Sequence, residues 1–163
     1  MLRPRRKNRT AEFDLRQNWL TVSLLAGVFV AGLWLSLRFG GYGGLAYLAL
    51  WIVSYPVIYA GTCRYCAYSG RKCPIPLEGS CVHYLFARSG RPFGFAQLIW
   101  ATVAYLLRVI IPVAAIIFHA AFFAGAVYLV LLAAFWFVHL RRSGCPNCIN
   151  THCPLNPDQA DPA

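Results

Sequence analysis

The chain has 163 residues, of which 59% are hydrophobic and 12% charged, and it carries a formal net charge of +10. This composition is too apolar for a soluble domain of that length, and the apolar residues occur in runs long enough to cross a bilayer. The composition therefore predicts an integral membrane protein. The positive charge follows the expected membrane topology, as described below, and requires no nucleic acid as a partner.

The first part of the chain begins with a basic segment and continues into two apolar runs. Residues 1–18 contain six basic side chains and are predicted to lie at the cytoplasmic surface beside anionic lipid headgroups. Residues 19–37 and 45–60 have the apolar length of membrane spans, and the glycine-rich sequence RFGGYGG between them indicates a turn. Pro56 is expected to kink the second helix. These features predict transmembrane helices 1 and 2 within residues 19–60.

A polar segment of residues 61–94, which we call the island, separates these helices from a second apolar stretch, residues 95–140. A single helix of 46 residues would extend about 69 Å, far beyond the roughly 30 Å hydrocarbon core, so this stretch must fold back on itself. The segment 112–121 is the predicted turn. It gives transmembrane helices 3 and 4 near residues 95–115 and 120–140.

The basic residues predict how the four helices are oriented. Six lie in residues 1–18, five in the island and two at the start of residues 141–163, which we call the tail, whereas only Arg38 flanks the opposite side. Short cytoplasmic segments carry an excess of Lys and Arg, so the N-terminus, the island and the tail are all predicted on the cytoplasmic side of a plasma (inner) membrane. The predicted fold is an all-α membrane protein with four transmembrane helices, a cysteine-rich cytoplasmic loop and a cysteine-containing cytoplasmic tail.

Seven cysteines fall into two groups on this predicted cytoplasmic side, with the spacing C-x2-C-x6-C-x7-C in the island and C-x2-C-x4-C in the tail. Thiols are kept reduced in the cytoplasm, which favours metal binding or redox chemistry over disulfides. A C-x2-C turn presents two thiolates to one tetrahedral metal or one iron–sulfur cluster. The predicted metal ligands are Cys63, Cys66, Cys73, Cys81, Cys145, Cys148 and Cys153, with His83 and His152 as additional candidates.

The spacing of the cysteines does not select one metal. Cys73, Cys145 and Cys153 are each followed by proline, as in the bacterial ferredoxin motif, but neither group has the spacing of that motif or of a zinc finger. An iron–sulfur cluster and zinc therefore both stay open as cofactors, in one site or two. The island and the tail begin at helix ends that share one membrane surface, so we expect at least one tail cysteine within about 10 Å of an island cysteine.

The predicted topology resembles that of the protein S-acyltransferases of the DHHC type, which have four spans, cytoplasmic ends and a cysteine-rich loop between spans two and three. The nucleophile of that family lies in an Asp-His-His-Cys run, which the island lacks. The nearest sequence is Cys81-Val82-His83, in the reverse order. Membrane polyferredoxins also place clusters beside membrane spans, but their repeated motifs are missing. The resemblance covers topology alone and transfers no residue roles.

Arg108 lies deep in the third predicted helix, where a charge costs about 2.5–3.5 kcal/mol or more. All five acidic residues of the chain lie outside the predicted spans. We therefore expect Arg108 to have no carboxylate partner in its own chain. It would then extend to the far interface, or bind an anionic ligand or an acid of another subunit. His139, at the inner end of the fourth helix, could ligate a metal or haem, but pairing with lipid or backbone is the commoner case for a helix-end histidine and is the one expected here.

Three functions fit these features, and no catalytic residue is identified among them. The first is a redox module that passes electrons between a soluble electron donor and a membrane partner, such as a quinone or another membrane subunit. The second is a zinc-stabilised membrane scaffold or assembly factor without catalysis, because so short a loop buries too little core to fold without a metal. The third is the handling of soft metals such as copper(I) by exchangeable thiols.

Overall fold

The computed structural model describes residues 8–75 and 77–158, which contain helices and no strand. The all-α fold class predicted from the sequence is confirmed for these residues. Of the predicted basic segment, Arg3, Arg5, Arg6 and Lys7 lie outside the described residues. The α-helices of the described chain are α1 (Leu15–Ser36), α2 (Gly40–Gly61), α3 (Glu78–Leu85), α4 (Phe95–Phe118) and α5 (Phe122–Val138), and α5 continues into a π-helical turn, His139–Ser143.

Three segments of the described chain are long and apolar enough to cross a membrane: Asn18–Tyr65, Phe95–Phe118 and Phe122–Asn147. These segments support a membrane location. The first of them contains both α1 and α2, because only the single 3-10 turn Leu37–Phe39 separates the two helices. The four predicted spans therefore correspond to three candidate segments. Length and composition alone do not show a separate fourth span.

A sharp reversal joins α1 to α2 at the predicted glycine-rich turn. Gly40 has a φ of +76°, in the left-handed region that glycine adopts without steric cost. Gly43 lies so close to α1 that a Cβ there would clash with the carbonyl oxygen of Ser36. The Tyr47 hydroxyl donates to the carbonyl of Phe29 at 3.1 Å, so α2 runs back along α1. The turn is shorter than expected, and α2 begins at Gly40 rather than near residue 45.

The second reversal lies within the predicted segment 112–121, at its C-terminal end. Pro112 does not end α4, which continues to Phe118, and the chain turns at Ala120, whose φ is +49°. A proline is tolerated inside a membrane helix because neighbouring helices and local adjustments satisfy the freed backbone groups. Gly125 of α5 packs directly against the side chain of Ile116 beside this turn. The two helices are therefore close together at the end where they are joined.

The long helices pack unevenly. α2 packs most extensively on α4, and α1 on α5, whereas α4 and α5 contact each other over a shorter length although they are consecutive. The core between α1, α4 and α5 contains the fully buried side chains of Leu35, Tyr128 and Phe135. Away from their connecting turn, α4 and α5 leave space between them. That space lies at the end of the bundle where the island and the tail are found.

Candidate functional site

Hydrogen bonds join the island, the tail and the residues before α1 at one end of the bundle. The Tyr68 hydroxyl donates to the carbonyl of Thr10 at 2.6 Å and accepts from the backbone N–H of Ile149 at 3.2 Å. The backbone N–H of Phe13 donates to the carbonyl of Lys72 at 3.0 Å, and the Phe13 ring packs against Tyr68. Tyr68 itself is buried. One side chain of the island therefore connects three separate parts of the sequence.

Tyr68→Phe is expected to weaken this junction while it keeps the aromatic ring in place. Loss of the buried hydroxyl leaves the carbonyl of Thr10 and the N–H of Ile149 without this partner, which should cost about 1–3 kcal/mol of unfolding free energy. Thermal unfolding of the purified protein in detergent measures the loss. Tyr84→Phe is the matched control, since the side chain of Tyr84 is 78% exposed and should contribute little. Equal melting temperatures for the two variants would contradict the role given to Tyr68.

Six of the seven cysteines line one cavity at this end of the bundle. The cavity has a volume of about 590 Å³ and lies between α4, α5, the island and the tail. Three of its cysteines come from the island and three from the tail: Cys63, Cys66, Cys73, Cys145, Cys148 and Cys153. Cys81 is not among the lining residues; it lies on α3, packed near Ile58 and Tyr59 of α2.

Asn150 links the two cysteine groups directly. Its side-chain amide donates to Sγ of Cys66 at 3.6 Å, and its backbone N–H donates to Sγ of Cys148 at 3.4 Å. An island thiol and a tail thiol thus contact the same residue. The two cysteine groups therefore lie close together, as expected from the positions of the helix ends. Within the described residues, no three Cys, His, Asp or Glu side chains lie close enough together to hold one metal ion.

Burial determines the protonation state of the cavity thiols. It raises the pKa of the Cys66 thiol to about 12 and the pKa of the Cys153 thiol to about 11. Burial also raises the pKa of Cys73, and the nearby Glu78 carboxylate adds to this shift. Without a metal these thiols are therefore protonated at neutral pH. Because metals bind the thiolate form, metal binding at this site would release protons.

The histidines lie in places that differ from the sequence interpretation. His83 and His152, proposed as additional ligands, are both exposed, and neither lines the cavity. His139, which was expected to pair with lipid or backbone, lines the cavity instead, and its buried Nδ1 atom has no hydrogen-bond partner among the described residues. Its ring lies against Gly144, where a Cβ would be 2.6 Å from the nearest ring carbon. His139 lines the site, whereas the sequence interpretation ranked a ligand role for it second to pairing with lipid or backbone.

Helical periodicity contains the signal that identifies His139. Tyr128 and Phe135 are fully buried on one face of α5, and His139 follows Phe135 by one helical turn. The rings of Phe135 and His139 are stacked, with centroids 5.9 Å apart. Residues on this face point into the bundle rather than toward lipid. A face-by-face assignment of α5 would therefore have placed His139 inside the protein.

Arg108 has a carboxylate partner in its own chain, contrary to the prediction. Its Nη1 atom lies 3.1 Å from Oε1 of Glu78, and the two side chains are only 2% and 6% exposed. Its Nε donates to the hydroxyl of Ser54 at 2.8 Å. Glu78 is the first residue of α3, and the island folds back against the bundle so that this acid reaches α4. The prediction failed because it treated every island residue as lying outside the helices.

Aromatic rings complete the surroundings of this ion pair. The guanidinium carbon of Arg108 lies 4.7 or 4.8 Å from the ring centroids of Trp51, Tyr55 and Tyr105. The hydroxyl of Tyr105 donates to the same Glu78 oxygen at 3.1 Å. These cation–π contacts and hydrogen bonds partly compensate the two charges for the loss of water, while the buried Nη2 of Arg108 has no hydrogen-bond partner among the described residues. Glu78 and Tyr105 also line the cavity, so the ion pair forms part of the wall near the cysteines.

The site offers soft ligands in an otherwise largely apolar cavity. Thiolates select zinc, copper(I) and iron–sulfur clusters, and the polar residues on the wall include Glu78, Tyr105 and His139. Comparison of the chain with protein-family models, curated proteins and solved structures found no match. The chemistry open to this site is therefore argued from its own residues.

Proposed function

We propose that the protein is an integral membrane redox module whose cavity cysteines bind an iron–sulfur cluster. One observation carries this proposal: thiols from the island and the tail, six in all, line a single cavity of about 590 Å³. Six thiols exceed the four that either one tetrahedral zinc ion or one iron–sulfur cluster binds, and no three ligand side chains of the described residues lie close enough together for a single ion. Their distribution around a cavity suits a group with several metal atoms, which takes its cysteines from different sides. The cluster would carry electrons between a soluble donor and a partner in the membrane.

Two alternatives predicted from the sequence are less well supported by this geometry. Handling of soft metals by exchange needs exposed thiols, whereas Cys63 is buried and the other cavity cysteines are partly buried. A zinc-stabilised scaffold needs four ligands, as a cluster does, but it needs no cavity beyond the metal. Zinc remains the outcome that would overturn the proposed redox function, since zinc has no redox chemistry.

The proposed function is tested on protein purified without oxygen, with iron, acid-labile sulfide and zinc measured per chain. An iron–sulfur cluster predicts brown protein with matching amounts of iron and sulfide. Reduction with dithionite should then bleach its visible absorption. Colourless protein with one or two zinc ions per chain would replace the redox module with the zinc-stabilised scaffold. Colourless protein without bound metal would overturn both.

We also propose that α1 and α2 each cross the membrane, which gives four spans with both termini in the cytoplasm. Each helix has 22 residues, or about 33 Å, and the two form an antiparallel hairpin. The basic residues of the described chain support this orientation. Arg38 lies at the α1–α2 turn, whereas Arg64, Arg71 and Arg141 lie at the cysteine end.

Two exposed glycines, Gly41 and Gly90, allow a direct test of this orientation, because a side chain added at either would meet no atom of the described residues. In intact cells, a membrane-impermeant maleimide should label Gly41→Cys and leave Gly90→Cys unlabelled. After permeabilisation both variants should react. Labelling of Gly90→Cys in intact cells would place the cysteine end outside the cytoplasm. The cysteines would then no longer be expected to stay reduced, and disulfides would again be a possible interpretation.

A further inference from the structure

A basic cleft lies beside the cysteine cavity, along the loop of residues 88–93 that leads from α3 to α4. Two hydrogen bonds fix this loop: the backbone N–H of Ser89 donates to the carbonyl of Arg64 at 2.8 Å, and the Ser89 hydroxyl accepts from the N–H of Arg91 at 3.2 Å. Arg88 and Arg91 both line the cleft and are exposed. Among the described residues, no acid lines the cleft or forms an ion pair with either arginine. The cleft therefore presents two positive charges to a ligand.

An apolar groove adjoins this cleft on the outside of the bundle. Its walls are the end of α2 and the beginning of α4, and both helices belong to candidate membrane spans. Gly61 packs directly against the side chain of Trp100. The Thr62 hydroxyl donates to the carbonyl of Gln97 at 2.8 Å, which holds the two helix ends together beside the groove. Pro56 and Trp100 line the groove and are both exposed, so it is open on the side that faces the bilayer.

Tyr65 connects the cleft and the groove, because it lines both of them. The guanidinium carbon of Arg64 lies 5.2 Å from the centroid of the Tyr65 ring, which places a further cation near this connection. A continuous surface therefore leads from positive charges on the island to apolar side chains of the membrane spans. A phospholipid has the matching order of groups, since its phosphate lies at the membrane surface and its acyl chains lie in the hydrocarbon core.

We propose that the cleft and the groove together bind one anionic phospholipid, with its phosphate beside Arg88 and Arg91 and an acyl chain along Val57. Arginine forms strong paired hydrogen bonds with phosphate, and basic pockets beside membrane helices recognise anionic headgroups. A zwitterionic lipid would bind less tightly, because the two arginines repel its ammonium group. A soluble phosphate or an acidic protein segment would use the cleft and leave the groove empty. The site requires a membrane around α2 and α4, but it requires no metal at the cysteines.

A lipid in this site would also support the wall of the cysteine cavity. The cleft and the cavity share Phe93 and Asn150 in their linings, and Asn150 donates to the sulfur atoms of Cys66 and Cys148. A ligand that binds the folded chain and not the unfolded chain stabilises the fold by mass action. Bound phosphatidylglycerol, an anionic phospholipid, is therefore expected to raise the melting temperature of the protein.

Native mass spectrometry of the full chain in detergent tests the role of the arginines, with dioleoyl phosphatidylglycerol and dioleoyl phosphatidylcholine as the two probes. Wild type should bind one phosphatidylglycerol at least tenfold more tightly than phosphatidylcholine. Arg88→Gln/Arg91→Gln should remove this preference. Arg71→Gln/Arg141→Gln is the matched control, since it loses the same charge at two exposed positions of the cysteine end that do not line the cleft. The control should keep the preference.

A second pair of variants tests the contact with the acyl chain. Val57→Trp fills the groove and should weaken phosphatidylglycerol binding at least tenfold. Ile52→Trp should leave binding unchanged, because Ile52 is an exposed residue of α2 outside the groove. Soluble glycerol phosphate has the anionic group but no acyl chain, and it should not displace the lipid. Melting temperatures show that each variant is folded, and phosphatidylglycerol should raise that of wild type but not that of Arg88→Gln/Arg91→Gln.

Three results would overturn the lipid site. Equal binding of the two lipids by wild type would contradict the role of the arginines. An equal loss of phosphatidylglycerol binding in both double-arginine variants would show that the lipid responds to the overall positive charge of this end. Displacement by glycerol phosphate, with unchanged binding by Val57→Trp, would assign the cleft to a soluble anion instead. Metal content tests the proposed function separately, since neither the cleft nor the groove is lined by a cysteine.

Discussion

Replacement of Cys66 or Cys148 by serine is expected to abolish metal binding, whereas replacement of Cys81 should leave it intact. Cys66 comes from the island and Cys148 from the tail. Both line the same cavity, and the sulfur atom of each accepts a hydrogen bond from Asn150. A serine hydroxyl is a far poorer ligand than a thiolate for iron–sulfur clusters or zinc. If both groups of cysteines hold one metal centre, each single substitution should lower the metal content per chain at least tenfold.

Cys81 provides the matched control for this experiment. It belongs to the same island and is partly buried, but it does not line the cavity, and its Sγ atom lies 3.8 Å from the hydroxyl of Ser80. Metal content is measured together with the melting temperature, so that loss of a ligand is distinguished from loss of the fold. The hypothesis that both cysteine groups hold one metal centre would be wrong if Cys81→Ser lost the metal while Cys148→Ser retained it. In that case the island would bind metal without the tail.

The second large effect is expected at the buried ion pair, where one substitution should destabilise the protein more than the loss of both charges. Glu78→Gln leaves the guanidinium of Arg108 buried without its counter-charge and should cost about 3–5 kcal/mol of unfolding free energy. The double variant Glu78→Leu/Arg108→Met removes both charges at similar volume, and it should be close to wild type or more stable. Unfolding by denaturant in a mild detergent measures the three free energies.

An exposed ion pair of nearly the same length serves as the control. Arg9 and Asp158 are 3.2 Å apart, but their side chains are 70% and 33% exposed, so Arg9→Met should change the unfolding free energy by less than about 1 kcal/mol. Because the two pairs have nearly equal N–O distances, a difference in the loss of unfolding free energy reports the effect of burial. If Glu78→Gln proved no more costly than Arg9→Met, the pair would not hold the island against α4.

The helices were largely predictable because their signal is local. Runs of apolar residues gave the positions of α1, α2, α4 and α5, and the length of residues 95–140 required a reversal. The ends were less accurate, because proline and glycine have weaker effects where other helices surround them. Pro112, part of the predicted turn segment, lies inside α4, and Gly40 to Gly44 belong to α2 rather than to a loop.

The partner of Arg108 was not predicted, because the contact between the two residues depends on how the island folds. Glu78 is 30 residues away in the sequence, and only the return of the chain toward α2 and α4 brings the two charges together. The sequence does indicate that Arg108 faces inward. It shares one face of α4 with Ala104 and Ala115, whose small side chains allow another helix to pack closely. A buried arginine requires an acidic partner, and Glu78 is the only acidic residue in the sequence of the island.

One feature of the candidate site, the approach of the two cysteine groups, could be predicted from the sequence. The approach of the island and the tail follows from helix ends at one surface, which holds for any packing of the bundle. The choice among the ligands does not follow from it. Cys81 belongs to the same spacing pattern as Cys63, Cys66 and Cys73, and only its position on α3 directs it toward α2 instead of the cavity. His83 lies on the same short helix and is exposed.

The division of the cavity between two distant parts of the chain affects its assembly during synthesis. Cys66 and Cys145 are separated by 79 positions, which a ribosome translates in roughly 4–16 s at about 5–20 residues per second. During that interval the island thiols lack the tail that completes their surroundings, and α4 and α5 must still enter the membrane. A cofactor that needs both cysteine groups can therefore be inserted only after α5 and the tail have been made. If the cavity binds such a cofactor, the three island thiols that line it stay without their ligand until then, and the cell must protect them from oxidation and from other metals.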